Sequence, residues 1–138
     1  KDVDEAFVSF VYDGDTIQVE REGQGKEKVR LLGIDTPEID RSEADEHECF
    51  AFDASFFARE NLLRQNVILG GDVFADDRDI YDRQLRYVFL NGENFNARLI
   101  EEGFAKVYRK AKFEEKDRFL ELESEAKVEG RGLWGECE

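Results

Sequence analysis

The sequence predicts an α+β fold: a five-stranded barrel of the OB type with three α-helices. Three observations lead there. Runs rich in β-branched and aromatic residues, bounded by turn residues, mark five strands. Helical patterns follow the third and fifth of these, so the order is three strands, a helix, two strands, then helices. The 138 residues, with 12 Phe and 41% hydrophobic content, suffice for one core and one domain over residues 1–138.

The elements follow in order. Residues 5–12 (EAFVSFVY) read as a strand, and Asp13-Gly14 is a hairpin signal. Residues 16–21 return, with Ile17 and Val19 on one face, and Gly23 and Gly25 mark the next turn. Val29 to Ile34 is an apolar run with one charge, Arg30, so it reads as a buried strand. Pro37 stops it, because proline has no N–H to give to a ladder. Residues 50–64 are helical, with Ala54, Phe57, Ala58 and Leu62 on one face. Residues 66–74 form a strand with a bulge or bend at Gly70-Gly71. Residues 84–90 alternate as a strand closed by Asn91-Gly92, after a charged loop over 76–81. A short helix at 97–102 is stopped by Gly103. A longer one at 114–129 turns Phe119, Leu122 and Ala126 inward, and Leu133 and Trp134 fold back as an apolar clasp.

Composition narrows function. The formal net charge is −14, from 34 acidic and 20 basic residues. Cation–phosphate contacts govern nonspecific binding of nucleic acid, so this balance argues against it. It suits a protein that is soluble in high salt or carries divalent cations. No apolar run approaches the length that crosses a membrane. The absence of Met fits a processed product or an excised domain. Residues 38–48 hold six carboxylates against Arg41 alone and read as a solvated, mobile loop. Its His47 reads as a surface residue. Cys49 and Cys137 permit one disulfide, and their spacing alone does not choose between that bridge and two buried free thiols.

Three short stretches concentrate chemistry at predicted strand ends. Residues 29–38 (VRLLGIDTPE) release Asp35, Thr36 and Glu38 together, with Arg30 behind them. Asp13-Gly14-Asp15-Thr16 adds carboxylates around a turn, and Tyr81-Asp82-Arg83 adds an arginine beside an aromatic. Each alone is an ordinary turn. All three in one small domain form the pattern of a site on a rigid scaffold.

The full series is DGDT, RLLGIDTPE, YDRQL, NARLIEEGFAKV and the terminal GLW. From about Val8 to Trp134 it resembles the staphylococcal nuclease, or thermonuclease, family. The resemblance implies an OB barrel and a Ca²⁺-dependent phosphodiesterase that cuts the bond to the 5′ oxygen of DNA and RNA, leaving 3′-phosphates. It implies a monomer acting on single-stranded or unpaired substrate, without a membrane. Carried over by motif, Asp15 and Asp35 would hold the cation by their side chains and Thr36 by its carbonyl. Glu38 would be the general base, Arg30 and Arg83 would grip the phosphate, and Tyr81 and Tyr108 would contact the nucleotide. The C-F before the first helix and G-L-W-G-x-C at the end resemble disulfide-bonded secreted relatives, which favours a Cys49–Cys137 bridge and an exported protein.

The residue types suit that chemistry. Phosphodiester hydrolysis builds negative charge on oxygen, which a hard cation on oxygen ligands and paired guanidinium donors offset. Three departures stand out: the acidic surface, Ile80 where a lysine often helps hold phosphate, and a tyrosine pair near Tyr108 reduced to one. They predict weak substrate capture at low salt. A noncatalytic nucleic-acid or protein binding module and a calcium-binding structural domain are the rival readings. The first explains the barrel without the retained Asp15, Asp35, Glu38, Arg30 and Arg83; the second explains the charge without the two arginines.

Overall fold

The computed structural model describes residues 3–39 and 47–137. The predicted acidic loop therefore lies largely outside the described residues, at 40–46. Strand β1 (Asp4–Asp13) turns at Gly14 into β2 (Thr16–Glu20), which returns as β3 (Lys26–Leu31). The β1–β2 register shifts between Val8 and Phe10 and again between Val11 and Asp13. Such irregularities bend and twist a strand, which lets a small sheet curl.

The predicted strand at Val29–Ile34 is a correction: it is two strands, not one. β3 starts earlier and ends at Leu31, and β4 (Ile34–Asp35) follows after a turn. Gly33 sits at φ +82°, where an L side chain is strained, and a Cβ there would meet the Phe113 ring at 2.6 Å. The Arg30 guanidinium fixes this turn: its Nη1 donates to the carbonyls of Leu31 (2.8 Å) and Ile34 (2.9 Å). Apolar periodicity carries no sign of either constraint.

Helix α1 (Ala51–Leu62) buries Ala51, Ala54, Ala58 and Leu62. It is shorter than residues 50–64, because Phe50 and Arg64 take left-handed backbone conformations at its two ends. β5 (Asn66–Gly70) also stops short of the predicted Phe74. There the Asp72 carboxylate accepts from the Phe74 N–H at 3.0 Å, and its backbone carbonyl accepts from Ala75. That local turn competes with the ladder.

β6 (Gln84–Leu90) pairs antiparallel with β5 and parallel with β3, from Val29↔Gln84 to Leu31↔Arg86. With β1 pairing both β2 and β5, these contacts close a five-stranded barrel. Val8, Ile17, Val19, Val29 and Leu31 fill it and are fully buried. Val29→Ala is expected to cost about 2 kcal/mol of stability in urea unfolding, from lost burial and the cavity left behind.

After β7 (Glu93–Asn94), helix α2 (Phe95–Glu101) starts two residues before the predicted boundary. Its N-cap is Asn94, whose side chain accepts from the Ala97 N–H. β8 (Lys106–Val107) pairs with β4, a contact that sequence periodicity does not announce. Helix α3 (Lys116–Glu129) buries Phe119 and Ala126, but it also buries Glu123, at 1% exposure. That carboxylate accepts from the Val107 N–H at 2.9 Å and from Arg109, so it ties α3 to β8.

The predicted clasp takes the form of a fourth, short helix, α4 (Leu133–Glu136), with the Leu133 N–H donating to the Gly103 carbonyl. Leu133 is buried, and the Lys106 and Lys127 ammonium groups lie over the Trp134 ring. Cys49 and Cys137 form a disulfide with Cα atoms 5.9 Å apart, joining the approach to α1 to the end of α4.

Candidate active site

The site begins at the β1–β2 turn. Gly14 permits a close approach there: a Cβ would stand 2.7 Å from Cγ2 of Thr36. The Asp15 N–H donates to Asp13 Oδ1 at 3.2 Å, and the Asp15 carbonyl accepts from the Leu31 N–H at 2.9 Å. Asp15 is thus anchored at the rim, 4% exposed. Its Oδ1 accepts from Thr16 Oγ1 and its Oδ2 from the Thr36 N–H, both at 3.1 Å.

Arg30 reaches the same point from β3. Its Nη2 lies 3.4 Å from Asp15 Oδ2 and 3.6 Å from Asp35 Oδ1. One guanidinium nitrogen therefore bridges two carboxylates that are 20 residues apart in sequence. Arg83 arrives from the start of the β6 hairpin, and its Nη1 is 3.4 Å from Thr16 Oγ1. A carboxylate absent from the motif reading orients it: Asp79 accepts from Arg83 Nε at 2.7 Å and from the N–H groups of Arg83 and Tyr81. Among the described residues nothing accepts from Arg83 Nη2, which leaves a donor for a ligand.

The predicted residues divide into two groups. Arg30, Arg83, Tyr81 and Tyr108 line one cleft of about 720 Å³, walled further by Phe74, Ile80 and Lys112. Asp15 and Asp35 stand behind Arg30, off the cleft wall. Tyr81 is largely exposed, with the Arg83 guanidinium over its ring, and Ile80 is 91% exposed. Glu38 is exposed and held by a reciprocal tie: its N–H donates to Glu48 Oε1 at 2.7 Å, and its carbonyl accepts from the Glu48 N–H. His47 packs edge-on against Phe52.

Crowded negative charge dominates the electrostatics. Burial and then the neighbouring Asp15 carboxylate push Asp13 up to about 7. Burial and Asp15 also raise Asp35, against the opposing pull of Arg30. Glu38, though exposed, is raised by partial desolvation of its carboxylate, then by Asp15, Asp35 and Glu48. Carboxylates crowded in this way mark charge that a bound cation would offset. Among the described residues no three His, Cys, Asp or Glu side chains converge closely enough to hold a metal ion by themselves. The carboxylates crowded at this rim, those of Asp13, Asp15 and Asp35, offer only oxygen donors. An open, oxygen-only site of that kind fits a hard divalent ion that keeps its water.

Sequence reading missed Asp79 and undervalued Asp13. Asp79 lies four residues before Arg83, a spacing at which an acid meets a base in a turn, and that was the available signal.

In class, this is a closed OB-type barrel with an acidic, arginine-flanked site on its rim. The family described as staphylococcal nuclease homologue matches residues 28–136. An uncharacterized protein of Methanocaldococcus jannaschii is 38% identical over 90% of this chain and 68% of its own length. A thermonuclease of Staphylococcus intermedius is 37% identical over 92% of this chain and 74% of its own. Endonuclease YncB of Bacillus subtilis is 35% identical over 88% and 57%. The chain belongs to the staphylococcal nuclease homologue family.

Proposed function

We propose that this chain is a nuclease that hydrolyses phosphodiester bonds of DNA and RNA, with Ca²⁺ as cofactor and 3′-phosphates as products. One observation carries the reading: Arg30 bridges Asp15 and Asp35 while Arg83 reaches Thr16 beside them, so carboxylates and guanidinium groups share one rim. Asp15, Asp35 and the Thr36 carbonyl would hold the ion. When bound, the ion would stabilise negative charge on the phosphoryl oxygens. Arg83, oriented by Asp79, donates to the phosphate from its open side. Arg30 keeps the carboxylates in place and adds positive charge beside them. Glu38, three residues past Asp35 and raised in pKa, takes a proton from the attacking water. Tyr81 and Tyr108 flank the nucleotide in the cleft. The substrate in this reading is single-stranded or unpaired, and the chain acts as a monomer. The Cys49–Cys137 bond supports an extracytoplasmic location, where disulfides persist.

Incubation with single-stranded DNA is the test, first with calcium and then with a chelator. Cleavage with calcium alone, giving ends that a phosphatase shortens by one phosphate, is expected. Cleavage that survives chelation removes the metal from the mechanism, and binding without cleavage makes the chain a binding module. Glu38→Gln should impair turnover without unfolding the barrel; a mutant at full rate would assign the base elsewhere. Calcium affinity measured by titration calorimetry is expected to rise as pH passes about 7, because the raised Asp13 must lose its proton to offer a charged carboxylate. Equal affinity at pH 6 and pH 8 would contradict that coupling.

A further inference from the structure

The outer face of β1, β2 and β3 carries side chains that the core does not use. Phe10 is 50% exposed although it sits mid-strand. Its ring meets that of Tyr12 edge-on at 4.8 Å, and Lys28 Nζ lies 4.6 Å from the Tyr12 ring centroid. Gln18 lies between them, accepting from the Tyr12 hydroxyl and donating to Ser9 Oγ. The register puts Phe10, Gln18 and Lys28 in one cross-strand row.

The next row toward the rim pairs Thr16 with Arg30, and Thr16 accepts from Arg83. Two residues along a strand span about 7 Å. The aromatic row is therefore the immediate neighbour of the candidate active site, on the same sheet face. Charge points the same way. The chain carries a net −14, yet β3 presents Lys26, Lys28 and Arg30 at alternate positions. Lys26 faces Glu20 across the strand pair, whereas among the described residues Lys28 pairs with no carboxylate.

An exposed Phe10 ring, with the half-buried Tyr12 and the Lys28 ammonium group beside it, suits single-stranded nucleic acid: a base stacks on the ring and the phosphate meets the ammonium group. A flat protein interface would favour a wider apolar patch, and here Ser9, Gln18 and Lys28 surround the rings. We propose that this face is a substrate track, holding the nucleotides that flank the scissile phosphate, with Phe10 and Tyr12 as the stacking platform and Lys28 as the phosphate contact. The assignment rests on the nuclease reading for what occupies the adjacent rim.

Binding tests it apart from catalysis. The probe is a labelled phosphorothioate oligothymidylate, which resists cleavage, measured by fluorescence anisotropy with calcium over a range of salt. Phe10→Ser is expected to weaken binding of a long oligomer about tenfold and leave a dinucleotide unchanged. Lys28→Gln should flatten the dependence of log affinity on log salt by about 0.7, one phosphate contact's worth. A wild-type chain that ignores the long oligomer, or variants that bind it as the wild type does, overturn the track. Activity on a nitrophenyl ester of a single nucleotide reports on the rim alone. If that activity is missing while long-oligomer binding still depends on Phe10 and Lys28, the track stands and the nuclease reading falls.

Discussion

Arg83→Ala is expected to lower the cleavage rate by on the order of a hundredfold or more, with little change in melting temperature. A hundredfold corresponds to about 2.7 kcal/mol of transition-state stabilisation. The reason lies in how the side chain is held. Asp79 Oδ2 fixes Nε at 2.7 Å, so the guanidinium is oriented before substrate arrives. Truncation removes that donor from the cleft. It leaves Asp79 Oδ1 still accepting from the N–H groups of Tyr81 and Arg83, so the turn keeps its backbone bonds. Lysine should not rescue the rate, because it lacks the planar fork that pairs with Asp79 and phosphate together. A mutant that cleaves at the wild-type rate would remove Arg83 from the chemistry.

Asn96→Leu should destabilise the fold by about 3–5 kcal/mol. Asn96 is fully buried and uses both ends of its amide. Oδ1 accepts from the Val88 N–H at 2.9 Å. Nδ2 donates to the Leu32 carbonyl at 2.9 Å and to the Arg86 carbonyl at 3.2 Å. Leucine fills nearly the same volume but leaves the Val88 N–H and the Leu32 carbonyl without these partners, while the Arg86 carbonyl keeps the Leu32 N–H as a donor. The Leu32 bond also steadies the turn that carries the chain from β3 to Asp35, so the loss should reach the site. Urea unfolding measures the effect; a loss below about 1 kcal/mol would mean that the two backbone groups find other partners.

Asn96 also shows where sequence reading stops. In N-A-R-L-I it is one polar residue at the start of a helix, with no local sign that its partners are Leu32, Arg86 and Val88. Glu123 is the same case. At i+4 from Phe119 and three before Ala126 it lies on the apolar face, yet a glutamate in a charged helix reads as solvent-facing. The Val107 N–H on β8, Arg109 just beyond it and Lys127 on the same helix make its burial tolerable. The strands were more legible. Ile17 and Val19, or Val29 and Leu31, alternate with polar neighbours because a strand's two faces meet different surroundings, and that period is written locally.

The sequence by itself determined the class of fold, the five barrel strands and the residues that meet at the rim, since alternation, turn chemistry and the DGDT, RLLGIDTPE and YDR stretches are all local. Tertiary structure alone decided that β3 stops at Leu31, that β4 pairs with β8 and that Arg30 bridges Asp15 and Asp35. Each of these depends on a partner distant in the chain or on a backbone angle forced by close packing. Such a contact acquires its energy only when folding removes the water between its two halves.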